Sequence, residues 1–252
     1  MVRVSQGNSK KVVGVLALQG AFESHKKVLN ELDVVSLEVR TPQDLTQVDA
    51  LIMPGGESTT MSQLLESSDL YEPIKKQSHK QVLNDLDVSS LEVRTPRDLA
   101  QVDALIMPGG ESTTMSQLLE SSDLYEPIKY LIHEGMPVFG TCAGMILLAK
   151  KIIDGRDDQI SFGAIDIEVQ RNAYGRQVDS FEADVAIKGL TSAFHAVFIR
   201  APKILQAGKD IEVLASFGSD VVLARQKNVL VAAFHPELSQ DGRIHEIFVK
   251  EI

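Results

Sequence analysis

The sequence predicts an α/β protein organised around a mostly parallel sheet, on three observations. Continuous apolar runs rich in β-branched residues alternate with segments of helical period over the first 150 residues. The strand-like runs stop at small residues, most clearly at Pro-Gly-Gly. Several shorter strand-like runs then cluster in the last third, which adds a mixed extension to the parallel core.

The elements follow in order. Val12 to Leu18 is unbroken and apolar, as a strand covered on both faces should be, and it ends at Gln19-Gly20. Phe22 to Leu32 reads as a helix. Leu37 to Arg40 alternates and stops at Thr41-Pro42, so it reads as a short strand, and the same reading applies to Leu91 to Arg94. Asp49 to Met53 and Asp103 to Met107 are expected to be buried strands, each followed by a largely helical segment. A strand from Met136 to Phe139 and a helix from Ala143 to Lys151 come next. The late strands are Ile165 to Val169, Phe181 to Val185, Ala196 to Ile199, Glu212 to Ala215, Val221 to Ala224 and Val229 to Phe234.

Composition narrows the function classes. Of 252 residues, 44% are hydrophobic and 24% charged, the balance of an ordinary globular protein with a real core. The 25 Lys and Arg against 35 Asp and Glu give a net charge of -10 without a basic run, which argues against nucleic acid or anionic membrane as a partner. One cysteine makes no internal disulfide, and the polar start MVRVSQGNSKK has no signal-peptide core. No run approaches the ~20 apolar residues of a membrane span. The expectation is a cytoplasmic protein.

A near-perfect repeat interrupts this pattern. Ser24 to Lys75 recurs as Ser78 to Lys129, an offset of 54, with five differences in 52 positions: Lys27/Gln81, Glu31/Asp85, Val35/Ser89, Gln43/Arg97 and Thr46/Ala100. Solenoids need about three or more units and tolerate divergence between them. Two nearly identical units point instead to a tandem duplication, in the gene or in its reading, within an already complete chain. Removing it leaves 252 − 54 = 198 residues, the size of one medium domain.

In parallel sheets chemistry gathers where strands end. Gly140-Thr141-Cys142-Ala143-Gly144 lies between a strand and a helix with the spacing of a nucleophile elbow, cysteine standing in the nucleophile's place. A lone cysteine is often just a small buried hydrophobe. At an elbow facing a helix start, however, its thiolate is favoured. After the last strand comes Phe234-His235-Pro236-Glu237. In extended chain, residues two apart point the same way, so the carboxylate can flank the imidazole and stabilise its cation, the part played by a third triad member. His25, His79, His133, His195 and His245 have no such company and read as surface or structural.

Pro-Gly-Gly-Glu-Ser-Thr occurs twice, at Pro54 to Thr59 and Pro108 to Thr113. Glycines there can turn backbone amides toward an oxyanion, although a plain capped turn would use the same residues. No P-loop lysine, no G-x-G-x-x-G, and no H-E-x-x-H or C-x-x-C spacing is present, so no cofactor or metal is expected.

VGVLALQGAFESH, LIMPGGESTTM, GTCAGMILLAK, RNAYGRQVDSFEAD, VFIRAP and AAFHPEL together resemble the glutaminase subunits of pyridoxal 5'-phosphate synthase, which are class I (triad) glutamine amidotransferases. The resemblance spans residues 12 to 250 once one repeat is removed. It implies a flavodoxin-like three-layer α/β fold with a mostly parallel central sheet and a mixed C-terminal extension. It also implies hydrolysis of L-glutamine to glutamate and ammonia, with the ammonia passed to a (β/α)8-barrel synthase subunit. Cys142 matches the nucleophile, His235 the general base and acid, and Glu237 the residue orienting it. Gly110, Glu111 and Ser112, or their twins Gly56, Glu57 and Ser58, match the glutamine-binding loop. Gly110 and Ala143 correspond to the oxyanion amides, and Arg171, Ile199 and Arg200 to further glutamine contacts.

On this view residues 1–252 form a single amidotransferase domain in which one of the two copies, 24–75 or 78–129, is surplus. A switch between copies in the exposed turn at Thr41-Pro42 or Thr95-Pro96 breaks no element and makes copy 2 the working loop. A switch near Glu66 to Asp69 selects copy 1. Two other readings remain: a chain impaired or mis-spliced by the duplication, and another cysteine hydrolase of the same fold.

Overall fold

The computed structural model describes residues 12–18, 22–48, 50–52, 64–65, 67–68, 79–156, 159–171, 180–239 and 241–252. The chain forms two compact units, residues 1–77 and 78–252.

The first unit is built on a parallel three-stranded sheet of order β2-β1-β3, formed by β1 (Val12–Leu16), β2 (Val35–Val39) and β3 (Ala50–Ile52). Helix α1 (Phe22–Glu31) makes the connection from β1 to β2, as parallel pairing requires. β1 holds β2 on one side, Val12 opposite Val35, and β3 on the other, Val13 opposite Ala50. Leu16, Val39, Leu45 and Leu65 make the small core. Thr41-Pro42-Gln43-Asp44 closes a capping box at the start of α2 (Pro42–Leu45): the Asp44 amide donates to Thr41 Oγ1, and the Asp44 carboxylate accepts from the Thr41 amide.

The second unit repeats that capping box at Thr95 and Asp98, starting α3 (Pro96–Leu99). Local sequence alone therefore suffices to form it. The preceding segment, Leu91 to Arg94, is not a strand. Its copy 1 counterpart pairs with β1, a strand that precedes the repeat and so occurs once. Ser89 also replaces Val35, trading a strand former for a turn former.

The main sheet of this unit runs β11-β12-β13-β5-β4, with β4 (Leu105–Met107), β5 (Val138–Thr141), β11 (Glu212–Phe217), β12 (Asp220–Gln226) and β13 (Val229–Ala232). β4, β5 and β13 are parallel, while β12 runs antiparallel to both its neighbours. Every residue of β5 and β13 is buried, which explains the wholly apolar sequence of β13 and the absence of charge from β5. Helices α4 (Ser112–Ser121) and α5 (Tyr125–His133) lie between β4 and β5 in the chain. The Asn228 side-chain amide donates to the carbonyls of Ile132 and Met136, tying the start of β13 to the approach to β5.

A second sheet, β10-β7-β6, comprises β6 (Ala149–Ile152), β7 (Ile165–Gln170) and β10 (Lys203–Ala207). A hairpin of β8 (Ser180–Val185) and β9 (Phe194–Ile199) completes the extension. The helix expected from Ala143 to Lys151 ends earlier: α6 covers Ala143–Leu148, and the chain goes straight into β6. There it gains β7 as a partner, and Lys150 pairs with Asp166 across the ladder. β10 and the C-terminal helix α7 (Arg243–Val249) were not anticipated. Both are short, below the length at which a period is readable.

Candidate active site

β5 and β13 set the site by their register. Thr141 lies opposite Ala232, and the Cys142 amide donates to the Ala232 carbonyl at 2.8 Å. The residues following both strands therefore emerge together at one end of the sheet.

Cys142 turns the chain with φ 50° and ψ −103°, a conformation that a side chain rarely adopts and that the surrounding structure must impose. The flanking glycines are required by space. A Cβ on Gly144 would stand 2.1 Å from the Met107 carbonyl oxygen, and one on Gly140 would stand 2.6 Å from Leu148 Cδ1 and 2.7 Å from the Gly144 carbonyl carbon. The elbow expected from sequence is thus present, pressed against the end of β4. Cys142 is 7% exposed, and its Sγ lies 3.8 Å from the Ile199 carbonyl oxygen. That contact brings the end of β9 to Cys142.

His235 is fully buried, and its amide is held by the Val197 carbonyl at 2.8 Å. Its Nδ1 lies 2.8 Å from Glu237 Oε1. The expected pairing is therefore present, but extended alternation does not produce it. Pro236 starts a single 3-10 turn, Pro236–Leu238, which folds the carboxylate back onto the ring.

The electrostatics follow from this packing. Burial pushes the His235 pKa down, but the Cys142 thiolate and then the Glu237 carboxylate more than reverse this, lifting it to about 9. Glu237 moves oppositely. Burial raises its pKa, but His79 and the hydrogen bond from His235 bring it down to about 2.

The loop after β4 meets the same region. Glu111 caps α4, its carboxylate accepting from the amides of Thr113 and Thr114. Burial opposes ionisation there, and the amide hydrogen bonds outweigh it, holding the carboxyl below its ordinary range. Ser112 is buried and accepts from Gln159 Nε2 at 2.9 Å. Arg171 Nη1 donates to Thr113 Oγ1 at 3.0 Å and to Gln159 Oε1 at 3.1 Å. The residue that follows β7 is thereby fastened to the start of α4.

The chain's sequence matches the SNO glutamine amidotransferase family over residues 15–84 and 75–252. The chain belongs to that family. It is similar to the pyridoxal 5'-phosphate synthase subunit PdxT of Thermosipho africanus, 54% identical over 174 residues, which cover 69% of this chain and 92% of the relative. The corresponding subunit of Mycobacteroides abscessus is 52% identical over 171 residues, 68% of this chain and 89% of that one. A crystal structure of a glutamine amidotransferase aligns with a TM-score of 0.54 at 36% identity, covering 95% of this chain and 97% of that one. The fold is the flavodoxin-like α/β arrangement of this family.

Of the candidates, Cys142, His235, Glu237 and Ile199 come together, and Glu111, Ser112 and Arg171 gather at the start of α4. Gly110 lies in the loop joining β4 to that helix, and Ala143 is buried as the first residue of α6. Arg200 is exposed, with φ 44°. Gly56, Glu57 and Ser58 lie outside the described residues, as do positions 172–179 of the RNAYGRQVDSFEAD stretch. Of the histidines without a sequence signal, His79 is buried against Glu237, and His245 is buried against His79. His133 is exposed, and His195 sits in an exposed ion pair with Glu182 and Asp184. Gln159 was also missed, since an isolated glutamine carries no sequence signal. Among the described residues no helix is long and apolar enough to cross a membrane.

Proposed function

We propose that the chain hydrolyses L-glutamine to L-glutamate and ammonia through a thioester on Cys142. The carrying observation is the elbow cysteine and the His235–Glu237 pair at the ends of two adjoining, register-matched parallel strands. The Cys142 thiolate attacks the side-chain carboxamide carbon, and the carbonyl oxygen takes the negative charge, met by the backbone amides of Gly110 and Ala143. The tetrahedral adduct collapses, the C–N bond breaks, and His235 delivers a proton to the departing ammonia. His235, now neutral, takes a proton from water, which attacks the thioester and releases glutamate and the thiolate. Glu237 holds His235 in the required tautomer and steadies its cation.

Glu111, Ser112, Arg171, Ile199 and Arg200 form the glutamine pocket on this reading. Copy 2 provides the loop: Ser112 and Thr113 are bonded to Gln159 and Arg171 within the unit that carries the triad. The chain holds one amidotransferase domain's worth of sequence plus a surplus copy. It works in the cytoplasm as the ammonia-supplying subunit of a pyridoxal 5'-phosphate synthase, handing ammonia to a (β/α)8-barrel synthase subunit. The relatives' names support that assignment.

The test is ammonia release from glutamine, with and without the synthase subunit, for the full chain and for a version lacking residues 76–129. Glu111→Gln and Glu57→Gln, assayed separately, identify the working copy. A larger loss from Glu111→Gln is expected, and equal losses refute the copy 2 assignment. Absence of glutaminase activity under every condition overturns the reading.

A further inference from the structure

Glu237 has two oxygens and His235 engages only one. Its side chain is wholly buried, Oε1 is taken by His235 Nδ1 at 2.8 Å, and Oε2 lacks a hydrogen bond of standard geometry. A carboxylate held by one oxygen can swing about its terminal torsion, which is broad and soft. Something must hold the other oxygen if the imidazole is to be aimed.

The group facing Oε2 is His79 Nε2, at 3.4 Å. His79 is 5% exposed and opens the helical segment 79–85. The same Nε2 lies 3.4 Å from Thr141 Oγ1, on the residue before the nucleophile. Its other nitrogen, Nδ1, is 3.0 Å from Nε2 of His245 on α7. His245 is fully buried and packs edge-on against Phe139 of β5. The segment is seated there, since a Cβ at Gly242, just before α7, would meet Val82 at 3.6 Å.

With Nε2 protonated, His79 faces Glu237 Oε2 as a donor while Glu237 Oε1 accepts from His235 Nδ1–H, and His79 Nδ1 and His245 Nε2 share one proton between them. Burial, and then the positive charge of a protonated His79, push the His245 pKa down to about 4, so His245 is the neutral member of the pair.

We propose that His79, aligned by His245, is a positioning residue for the triad, fixing the second oxygen of Glu237 so that the first is aimed at His235. This rests on the glutaminase reading and deepens it. The repeat supplies an internal comparison. His25 occupies the equivalent place in a nearly identical stretch, yet it lies half-buried on α1 in the other unit. The same local sequence therefore has a different neighbourhood, and only His79 faces the carboxylate of the triad.

The experiment uses the full chain with its synthase subunit and the variants His79→Ala, His79→Gln and His25→Ala. Outer contacts of this kind alter activity by about 10- to 100-fold. His79→Ala is expected to lower kcat by that factor while KM for glutamine stays within about twofold. The alkaline limb of kcat/KM should move to lower pH, because a loosened Glu237 supports the His235 cation less. The titratable groups around His235 are Cys142 from the elbow and Glu237 from the turn, and those around His79 are Glu237 and, from α7, His245. His79→Gln, whose amide can still donate to Oε2, should recover most of the rate, and His25→Ala should match the parent. The His235 imidazole titration followed by NMR gives a readout independent of turnover, and its pKa should fall in His79→Ala. If His79→Ala does not fold, the comparison of His79→Gln with the parent by NMR decides: an unchanged His235 titration supports the proposal and a lowered one overturns it. Unchanged kcat and an unchanged His235 titration in His79→Ala overturn it. A parent chain without glutaminase activity sinks the glutaminase reading, while the NMR comparison still judges His79.

Discussion

Thr141 and Ala232 are register partners on adjacent parallel strands, and Cys142, His235 and Glu237, the residues proposed as the triad, all lie within five positions after one or the other. Pairing two strands therefore does most of the assembly of the reactive centre. Only the local turns at Cys142 and Pro236 are needed to finish it.

Replacing Cys142 with alanine removes the attacking atom. The expected outcome is a loss of glutaminase activity of at least about a thousandfold with the fold retained, since removing a nucleophile leaves only binding and oxyanion contributions. Ammonia release and thermal unfolding, measured side by side, check it. A thioester trapped on the parent and absent from Cys142→Ala would identify the intermediate by mass.

Glu237→Gln keeps the shape but loses the charge that supports His235. A fall in kcat of about 100- to 10,000-fold is expected, in the range seen when the third triad member is neutralised. Glutamine binding should change far less, because Glu237 contacts His235 and not the substrate on the proposed reading. Steady-state kinetics separate the two parameters.

The pH response has a definite sign. His235 is raised from its ordinary value near 6.5 to about 9, so its cation stabilises the folded state fully below pH 6.5, and this contribution is lost as pH rises through about 9. Glu237 is lowered from 4.5 to about 2, so its contribution is present above pH 4.5 and lost as pH falls through about 2. Unfolding measured from pH 6 to 10 should show the parent losing stability relative to His235→Asn, and kcat/KM should decline near pH 9.

Gly144→Ala places a methyl group where the Met107 carbonyl stands 2.1 Å away. Because the obstacle is backbone, β4 or the elbow must shift, and a loss of about 3 kcal/mol or more is expected. Denaturant unfolding measures it, and activity should fall with stability. Gly163→Ala serves as the contrast for space, since a Cβ there meets nothing within 4 Å, although its φ of 61° adds backbone strain of its own.

The sequence made the strands and the elbow legible because both depend on local signals: β-branched runs, and small residues flanking a cysteine. The Thr41 and Thr95 capping boxes follow the same logic. What stayed hidden depends on neighbours remote in the chain. His79 is 62 residues from Thr141 and 166 from His245, so nothing in its own surroundings marks it. The pairing of His235 with Glu237 was anticipated from the wrong geometry, because Pro236 begins a turn. Leu91 to Arg94 has the alternation of a strand but lacks the partner that makes its copy 1 counterpart one.

β1 has two sides, and β2 and β3 occupy both. Its capacity for ladders is thereby saturated, as an atom's valence can be. Extra residues in a loop ask only for solvent and some chain entropy, whereas a copied strand asks for a seat, and seats along a parallel sheet are countable. Lengthening this protein by a whole strand–helix unit is therefore a different kind of change from lengthening a loop by as many residues: it sets two near-identical claimants before one host.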